Sequence, residues 1–230
     1  MKKTLLFAIF TAIAFVQCRT LHVSDFHQTA RVTEPLPRMG LLVHQESFAA
    51  AFDRETSMKG WGGHFFSQGP VTPGTYVALS DLPLEDVYAV LGNEISDNLA
   101  GNTGDRFGHI RFRLLNYNRR APGWGYTIPS TMSFYTLNTL GMPYTRLQAE
   151  VELQVEVADA NKTILARYKA SGQGKAWVAL YYGYQRTDAW RKANLLALQD
   201  AMVNIRAQMA EQLPQLNARL AEAGPLPKRQ

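Results

Sequence analysis

The chain has 230 residues, of which 46% are hydrophobic and 19% charged; this balance excludes a disordered protein and fits one globular domain. A formal net charge of +5, without a dense lysine or arginine stripe, argues against nucleic-acid binding. The only cysteine is Cys18, so neither an intramolecular disulfide nor a Cys-rich metal site can form.

The amino terminus has the pattern of a bacterial lipoprotein signal. Two lysines at residues 2–3 precede an apolar run over residues 5–16, and Cys18 follows this run closely. The run is short for a membrane span, and acyl chains on Cys18 would instead anchor the mature protein in one leaflet. Two alternatives stay open: secretion after ordinary cleavage, either behind residues 12–14 or just beyond Gln17, and an uncleaved anchor.

These features divide the chain into four segments. Residues 1–18 are predicted to be a lipoprotein signal peptide ending at the lipidated cysteine, and residues 19–38 a tether, because they show no hydrophobic period. A single α+β domain is predicted over residues 39–224, and a polar tail over residues 225–230. The expected location is the cell envelope, with the protein lipid-anchored on the outer membrane and facing the periplasm.

The first half of the predicted domain contains several short elements. Apolar runs predict strands at residues 41–43 and 75–79, and a period of three to four predicts a helix from Leu84 to Ala100. Alternation over residues 109–117 predicts another strand. The Pro- and Gly-rich residues 119–129 are interpreted as a loop, and a short helix is then predicted at residues 130–140.

The strongest pattern lies at residues 147–157, where apolar and polar side chains alternate strictly, as in a strand with one buried face. A polar turn at residues 159–162 and a second apolar run at residues 163–170 complete a β-hairpin. Residues 171–176 lack the first glycine and the final Ser or Thr of a phosphate-binding loop. They are interpreted instead as a turn leading to a third meander strand over residues 176–182.

A long amphipathic helix is predicted from Thr187 to about Gln212. Its apolar face is formed by Leu195, Leu198, Met202, Ile205 and Met209. We expect this face to cover Leu153 and Val155 in the hairpin. The charged side chains of the strands should lie on the opposite, open face and pair if the strands are neighbours; they are Arg111, Arg113, Glu150, Glu152 and Glu156. The predicted fold is therefore an α+β two-layer sandwich: a mostly antiparallel sheet with a hairpin or meander, covered on one face by two or three helices.

The order of the predicted elements behind the lipoprotein signal resembles that of the small envelope lipoproteins of the YajG type. The order is strand, helix, strand, short helix, meander and long closing helix. More distantly, the order resembles the α/β domain of the curli-secretion channel lipoprotein and of lipoprotein activators of peptidoglycan synthases. The resemblance covers residues 84–212 and includes Ala149-Glu150-Val151-Glu152 and the helix from Ala193 to Ile205. It implies a non-enzymatic protein, with no catalytic residues and no cofactor to carry over.

The titratable and nucleophilic residues lead to the same expectation. The histidines do not pair at metal-ligand spacing on a common element, and the common serine-nucleophile motifs are absent, so we expect no metal and no cofactor. One aromatic group could form a partner surface, or could instead seal the junction between helix and sheet. Its members are Trp177, Tyr181, Tyr182 and Tyr184, with Trp190 nearby in sequence.

The sequence thus predicts a non-enzymatic envelope lipoprotein, held in the membrane by acyl chains on Cys18, that binds a protein or peptidoglycan partner. One alternative is a hydrolase whose site is assembled from scattered residues such as Glu46, His64 and Asp105; such a site requires these groups to converge in one pocket. Another alternative is a subunit of a homo-oligomeric secretion-type ring, which requires a large self-complementary interface.

Overall fold

A computed structural model describes residues 21, 26, 30–52, 82–121, 124–179, 184 and 186–227. The elements in chain order are β1 (Met39–Val43), α1 (Gln45–Phe52), α2 (Leu84–Asn93) with a π-helical continuation (Glu94–Leu99), β2 (Gly108–Arg120), α3 (Trp124–Met132), α4 (Thr136–Thr139), β3 (Thr145–Asp159), β4 (Ile164–Val178), α5 (Arg186–Ala210) and α6 (Leu213–Ala223). The sheet order is β1-β2-β3-β4; β1 is parallel to β2 and the other pairs are antiparallel. The predicted α+β fold is confirmed. The predicted signal peptide and the predicted strand at residues 75–79 lie outside the described residues.

The helix α5 covers the sheet over β3 and β4, as predicted. The odd-numbered side chains of β3 from Leu147 to Val157 are all buried. Leu198, Met202 and Ile205 of α5 are buried in the same core. The alternation fixes this register, because a slip of one residue would turn the glutamates of β3 into the core.

The apolar side of β2 faces the helices along the strand, although the inward-facing positions change from even to odd residue numbers at a β-bulge. Its pairing with β3 shifts between Leu114 and Asn116, which adds one residue to β2. Beyond this bulge, Tyr117 lies opposite Val151 and donates its hydroxyl to Oδ1 of Asn194 in α5 at 3.0 Å. A bulge of this kind re-aims side chains without breaking the ladder.

The predicted turn at residues 171–176 is wrong. The strand β4 runs unbroken from Ile164 to Val178 and pairs with β3 beyond both glycines of this stretch. A Cβ atom on Gly172 would overlap the backbone of Ala197 and Ala201 in α5, and one on Gly174 would overlap the carbonyl oxygen of Ala193. The two glycines therefore allow a helix to approach the strand closely, which is the alternative meaning of glycine in a strand.

Alanines on α5 complete this close approach. They recur every four residues, are all buried, and lie on the side that faces β4: Ala189, Ala193, Ala197 and Ala201. Positions four apart share one face of a helix, so the alanines form a smooth strip over the two glycines. The closest contact between helix and sheet thus depends on the absence of side-chain volume on both sides.

Polar side chains of α5 cap the outer edge of β4. Each bonds a backbone group of the strand: Asp200 Oδ2 accepts from Gln173 N at 2.9 Å, Asn204 Nδ2 donates to Ser171 O at 3.0 Å, and Gln208 Nε2 donates to Lys169 O at 3.0 Å. An edge strand with open backbone groups invites pairing with another chain. This capping protects the edge from strand addition.

Charged groups on the other face pair across the strands, as predicted. Glu156 of β3 lies 3.3 Å from Nη1 of Arg111 in β2 and 2.9 Å from Nε of Arg167 in β4. The partner of Arg111 is Glu156, because the register places Glu152 opposite Asn116. Both arginines are well exposed, so each pair contributes only about 0.2–1 kcal/mol and acts mainly on strand pairing.

The end of the segment predicted as a tether packs on the domain. Asn98 in the π-helical turn accepts the backbone N–H of Ala30 at 2.8 Å, and Arg206 Nη1 donates to the carbonyl of Ala30 at 3.1 Å. Leu36 is buried, and its backbone N–H donates to the carbonyl of Leu99 at 2.8 Å. Burial of this aliphatic side chain in the core stabilises the packing of the segment on the domain.

Candidate functional site

Between β2 and β3 the chain forms a helical hairpin, described at residues 124–144, which contains α3 and α4 and is called the α3–α4 hairpin below. The two short helices pack mainly on each other. The hairpin is attached at its base, where the backbone N–H of Tyr144 donates to the carbonyl of Val178 at 2.8 Å. In addition, Tyr126 meets Trp177 edge-on, with ring centroids 5.5 Å apart. The hairpin therefore stands at the end of the sheet where β2 and β4 finish.

This hairpin exposes large apolar side chains. Phe134 is 87% exposed, Leu140 82%, Met132 79% and Ile128 47%, and Leu137 is also exposed. We call these five side chains the apolar tip. Scattered exposed leucines are ordinary, but a local group of exposed large apolar residues marks a contact surface. The apolar tip is the strongest such group among the described residues.

Two polar residues of the hairpin lie inside it. Ser130 and Asn138 are buried, whereas the apolar tip faces outward together with the exposed threonines at positions 127, 131, 136 and 139. Ser130 donates its hydroxyl to the carbonyl of Tyr126 at 2.6 Å, and Asn138 Nδ2 donates to the carbonyl of Met142 at 3.0 Å. In a water-exposed helix the large apolar residues usually turn inward. The hairpin therefore has an outer surface in which large apolar side chains are exposed beside threonines.

Charge is distributed unevenly around the hairpin. Residues 121–145 carry no charged side chain, and no acidic residue occurs between Asp105 and Glu150. Basic residues flank the hairpin at the end of the sheet: Arg119, Arg120, Arg146 and Lys175. Arg120 and Lys175 are exposed, so the hairpin rises from a basic rim.

Of the predicted partner surface, Trp177 and Tyr184 can be located. Trp177 is exposed on the polar face of the sheet, and the guanidinium of Arg146 lies 5.5 Å from its ring centroid. Tyr184 is buried in the core and accepts a hydrogen bond from Lys192 Nζ at 3.0 Å. The structure does not bring the two side chains onto one surface. Tyr181 and Tyr182 lie outside the described residues, and Trp190 is buried near Arg119.

Sequence reasoning missed the apolar tip. Residues 119–129 were expected to form a loop, but β2 continues to Arg120 and α3 begins at Trp124 with Pro129 inside it. The turn between the two helices places Phe134 and Tyr135 in the left-handed region, at φ 47° and 63°, which bulky residues rarely adopt. An available signal was the uncharged run of residues 121–145 between arginines.

The groups suggested for a scattered hydrolase site do not converge where they are described. In the parallel pair of β1 and β2, Met39 lies opposite Gly108 and Val43 opposite Phe112. Asp105 precedes β2, whereas Glu46 follows β1, so the two carboxylates belong to opposite ends of β1. Its rise separates them by about 13 Å or more. His64 lies outside the described residues.

A cationic cleft of about 680 Å³ lies at the end of the sheet away from the hairpin. Arg38, Arg106 and His109 line it together with Asp105. Burial lowers the pKa of His109, and the charges of Arg106, Arg111 and Lys162 lower it further. The imidazole therefore stays neutral at physiological pH. Within the described part of the chain, no group of three or more acidic, His or Cys side chains could hold a metal ion.

In the described ranges, no helix has the length and apolar character to cross a bilayer. The uncharged hairpin is built from short helices, and α5, the longest helix, carries many charged side chains.

No protein-family model matches the sequence, and no curated protein matches it. Among solved structures, it is similar to a candidate lipoprotein from Caulobacter crescentus CB15, with 14% identity, a TM-score of 0.21, and coverage of 52% of this chain and 72% of that chain. It is also similar to a minor lipoprotein from Acinetobacter baumannii, with 11% identity, a TM-score of 0.25, and coverage of 87% and 100%. Superpositions of this quality establish neither fold nor function, so the proposals below rest on the residues of this chain.

Proposed function

We propose that the protein is a non-enzymatic lipoprotein of the cell envelope, anchored by acyl chains on Cys18, and that it acts by binding through the α3–α4 hairpin. The observation that carries this proposal is the apolar tip on a hairpin that buries Ser130 and Asn138 instead of its large apolar side chains. Exposing such side chains to water is costly unless a partner covers them.

The anchor is supported by the amino-terminal pattern, in which a short apolar run ends beside the only cysteine of the chain. A pair of acyl chains holds a protein stably in a leaflet without any spanning helix. An outer-membrane location facing the periplasm is part of the proposal. The anchored body would then present the hairpin to whatever lies in or near the membrane.

A binding role is favoured over catalysis by the placement of the acidic groups. Glu46 and Asp105 lie at opposite ends of β1, and Glu156 is neutralised by two arginines. General acid–base chemistry needs groups within hydrogen-bond reach of one reacting atom. The capped edge of β4 also disfavours a ring built by strand addition.

A photo-reactive amino acid introduced at position 134 in cells tests the binding role. We expect irradiation to yield a discrete adduct from position 134, because Phe134 is the most exposed side chain of the apolar tip. The matched control is the same amino acid at position 222, since Glu222 is exposed on α6 and lies far along the chain from the hairpin.

The adduct mass identifies the partner as protein, peptidoglycan or lipid. An adduct of twice the chain mass would favour the homo-oligomeric ring. Equal yields from both positions, or no adduct at position 134, would contradict a binding role for the hairpin.

A further inference from the structure

We propose that the α3–α4 hairpin inserts its apolar tip into the headgroup and upper acyl region of an anionic bilayer. This inference rests on the proposed function and names the partner of the same surface. The hairpin is then a second membrane contact, separate from the acyl chains on Cys18. Three observations favour a bilayer over a protein partner.

The first observation is that five hydroxyl groups of the hairpin are satisfied internally. They donate to carbonyl groups of the hairpin itself and belong to Ser130, Thr131, Ser133, Thr136 and Thr139. Among the buried polar atoms of the hairpin, Oδ1 of Asn138 has no hydrogen-bond partner. A lipid environment offers few hydrogen-bond partners, so a segment entering it must satisfy its own polar groups. A protein partner would be expected to use some of these hydroxyls in intermolecular hydrogen bonds.

The second observation is charge complementarity. The uncharged hairpin rises from a rim with exposed Arg120 and Lys175. The exposed Glu150 lines the same cleft as these two residues, so the rim, with Arg119 and Arg146, keeps a net positive charge. Basic residues beside an apolar insertion attract anionic headgroups. Tyr126 and Trp177 at the base suit the boundary between water and lipid, where amphipathic aromatic side chains concentrate.

The third observation is the course of the chain toward its amino terminus. Gln199 donates to the carbonyl of Phe26, Arg206 to that of Ala30, and Asn217 to that of Pro35, so the chain runs along α5 and α6 in their own direction. Of these three residues, Phe26 contacts α5 nearest its first turn. That turn follows the end of β4, where the backbone of Tyr144 holds the hairpin.

The chain between the predicted anchor and the folded domain is short. Leu21 is buried in the core, and the chain from Cys18 to Leu21 spans no more than about 11 Å when extended. Acyl chains on Cys18 would therefore hold the folded domain close to the membrane surface.

A fluorescent probe at the apolar tip tests the insertion. The full chain with Cys18→Ala has no other cysteine, so Phe134→Cys in this background can be labelled with nitrobenzoxadiazole at one site. With vesicles of phosphatidylglycerol and phosphatidylethanolamine, we expect a blue shift and a several-fold rise in emission. The same label at Glu222→Cys should stay water-like. Both proteins keep the same amino-terminal segment, so the difference between the positions is the readout.

Two further variants test whether the basic rim contributes to membrane binding. Arg120→Gln should weaken the response at position 134 to anionic vesicles about five-fold, since one basic residue near such a surface contributes about that factor. Arg219→Gln removes an exposed cation from α6 and should leave it unchanged. If Phe134→Cys fails to fold, Leu140→Cys provides the same test at a second exposed position.

Each contrary outcome has a distinct meaning. A response that grows with protein concentration in the absence of lipid identifies a second copy as the occupant and overturns the inference. A response to native membranes but not to protein-free vesicles identifies a protein partner; the inference then fails while the proposed binding function stands. An equal response to phosphatidylcholine vesicles overturns the anionic assignment. No response in any of these conditions, together with no adduct in cells, removes both proposals.

Discussion

Replacing Gly172 with alanine is expected to lower the free energy of unfolding by about 3 kcal/mol or more, because the new methyl group enters the backbone of α5. The atoms it would meet belong to the main chain of Ala197 and Ala201, so no side-chain rotation relieves the overlap. Either α5 lifts from the sheet or β4 bends away, and both movements open the core. Urea unfolding followed by far-ultraviolet circular dichroism measures the loss.

The matched control for this substitution is Gly125→Ala. A methyl group on Gly125 meets nothing within 4 Å, and the residue lies in a helix, where alanine is favoured over glycine. Its unfolding midpoint should equal or slightly exceed that of the natural chain. If Gly172→Ala unfolded at the same urea concentration as this control, the close approach of α5 to β4 would be refuted.

Replacing Glu94 with glutamine is expected to cost about 3–5 kcal/mol of stability, because it leaves the buried charge of Arg206 without its counter-charge. Oε1 of Glu94 lies 3.1 Å from Nη1 of Arg206, and both side chains are about nine-tenths buried. The glutamine can still accept from Asn98, which now donates to Oε2 at 2.6 Å. The expected loss therefore reports mainly on charge, and thermal unfolding measures it.

Two controls keep this prediction specific. Glu222→Gln removes an exposed carboxylate and should change stability by no more than about 0.5 kcal/mol. The double variant Glu94→Leu with Arg206→Met removes both buried charges and should recover much of the loss, since an uncompensated charge costs more than an absent pair. A double variant as unstable as the sum of its single changes would show that the two residues act independently.

The core of the fold was predictable because the hydrophobic pattern that defines it lies within one short segment and has no exceptions. The alternation at residues 147–157 has only one arrangement that buries the apolar side, and the apolar face of α5 then follows. Pairing of arginine with glutamate across β2 and β3 was also predictable. The choice of Glu156 was not, because it depends on register, including a bulge after Leu114.

The glycines at positions 172 and 174 were misinterpreted because glycine is common both in turns and in strands that a helix approaches closely. In residues 171–176 the spacing of Gly172 and Gly174 fits a turn as well as a strand under a helix. The deciding information is the position of the alanines of α5, which lie 19 to 29 residues further along the chain than the glycines they meet. Local patterns do not contain a contact between such distant segments.

The apolar tip was not predictable for a related reason. Phe134, Leu137 and Leu140 have the spacing of an ordinary core-facing helix, and exposure is decided by what packs against it. The structure shows these side chains outside and Ser130 with Asn138 inside. The absence of charge over residues 121–145 was visible in the sequence, but it acquires a meaning only when the hairpin is known to be exposed.

The central claim, an envelope lipoprotein anchored at its only cysteine, is tested most directly by the intact mass of the protein extracted from cell membranes. The account predicts a mature chain that begins at Cys18 and carries the added mass of acyl chains. With Cys18→Ala, that species should disappear and much of the protein should leave the membrane fraction. A mature chain that begins at another residue, or a Cys18 without acyl chains in the natural protein, would contradict the account.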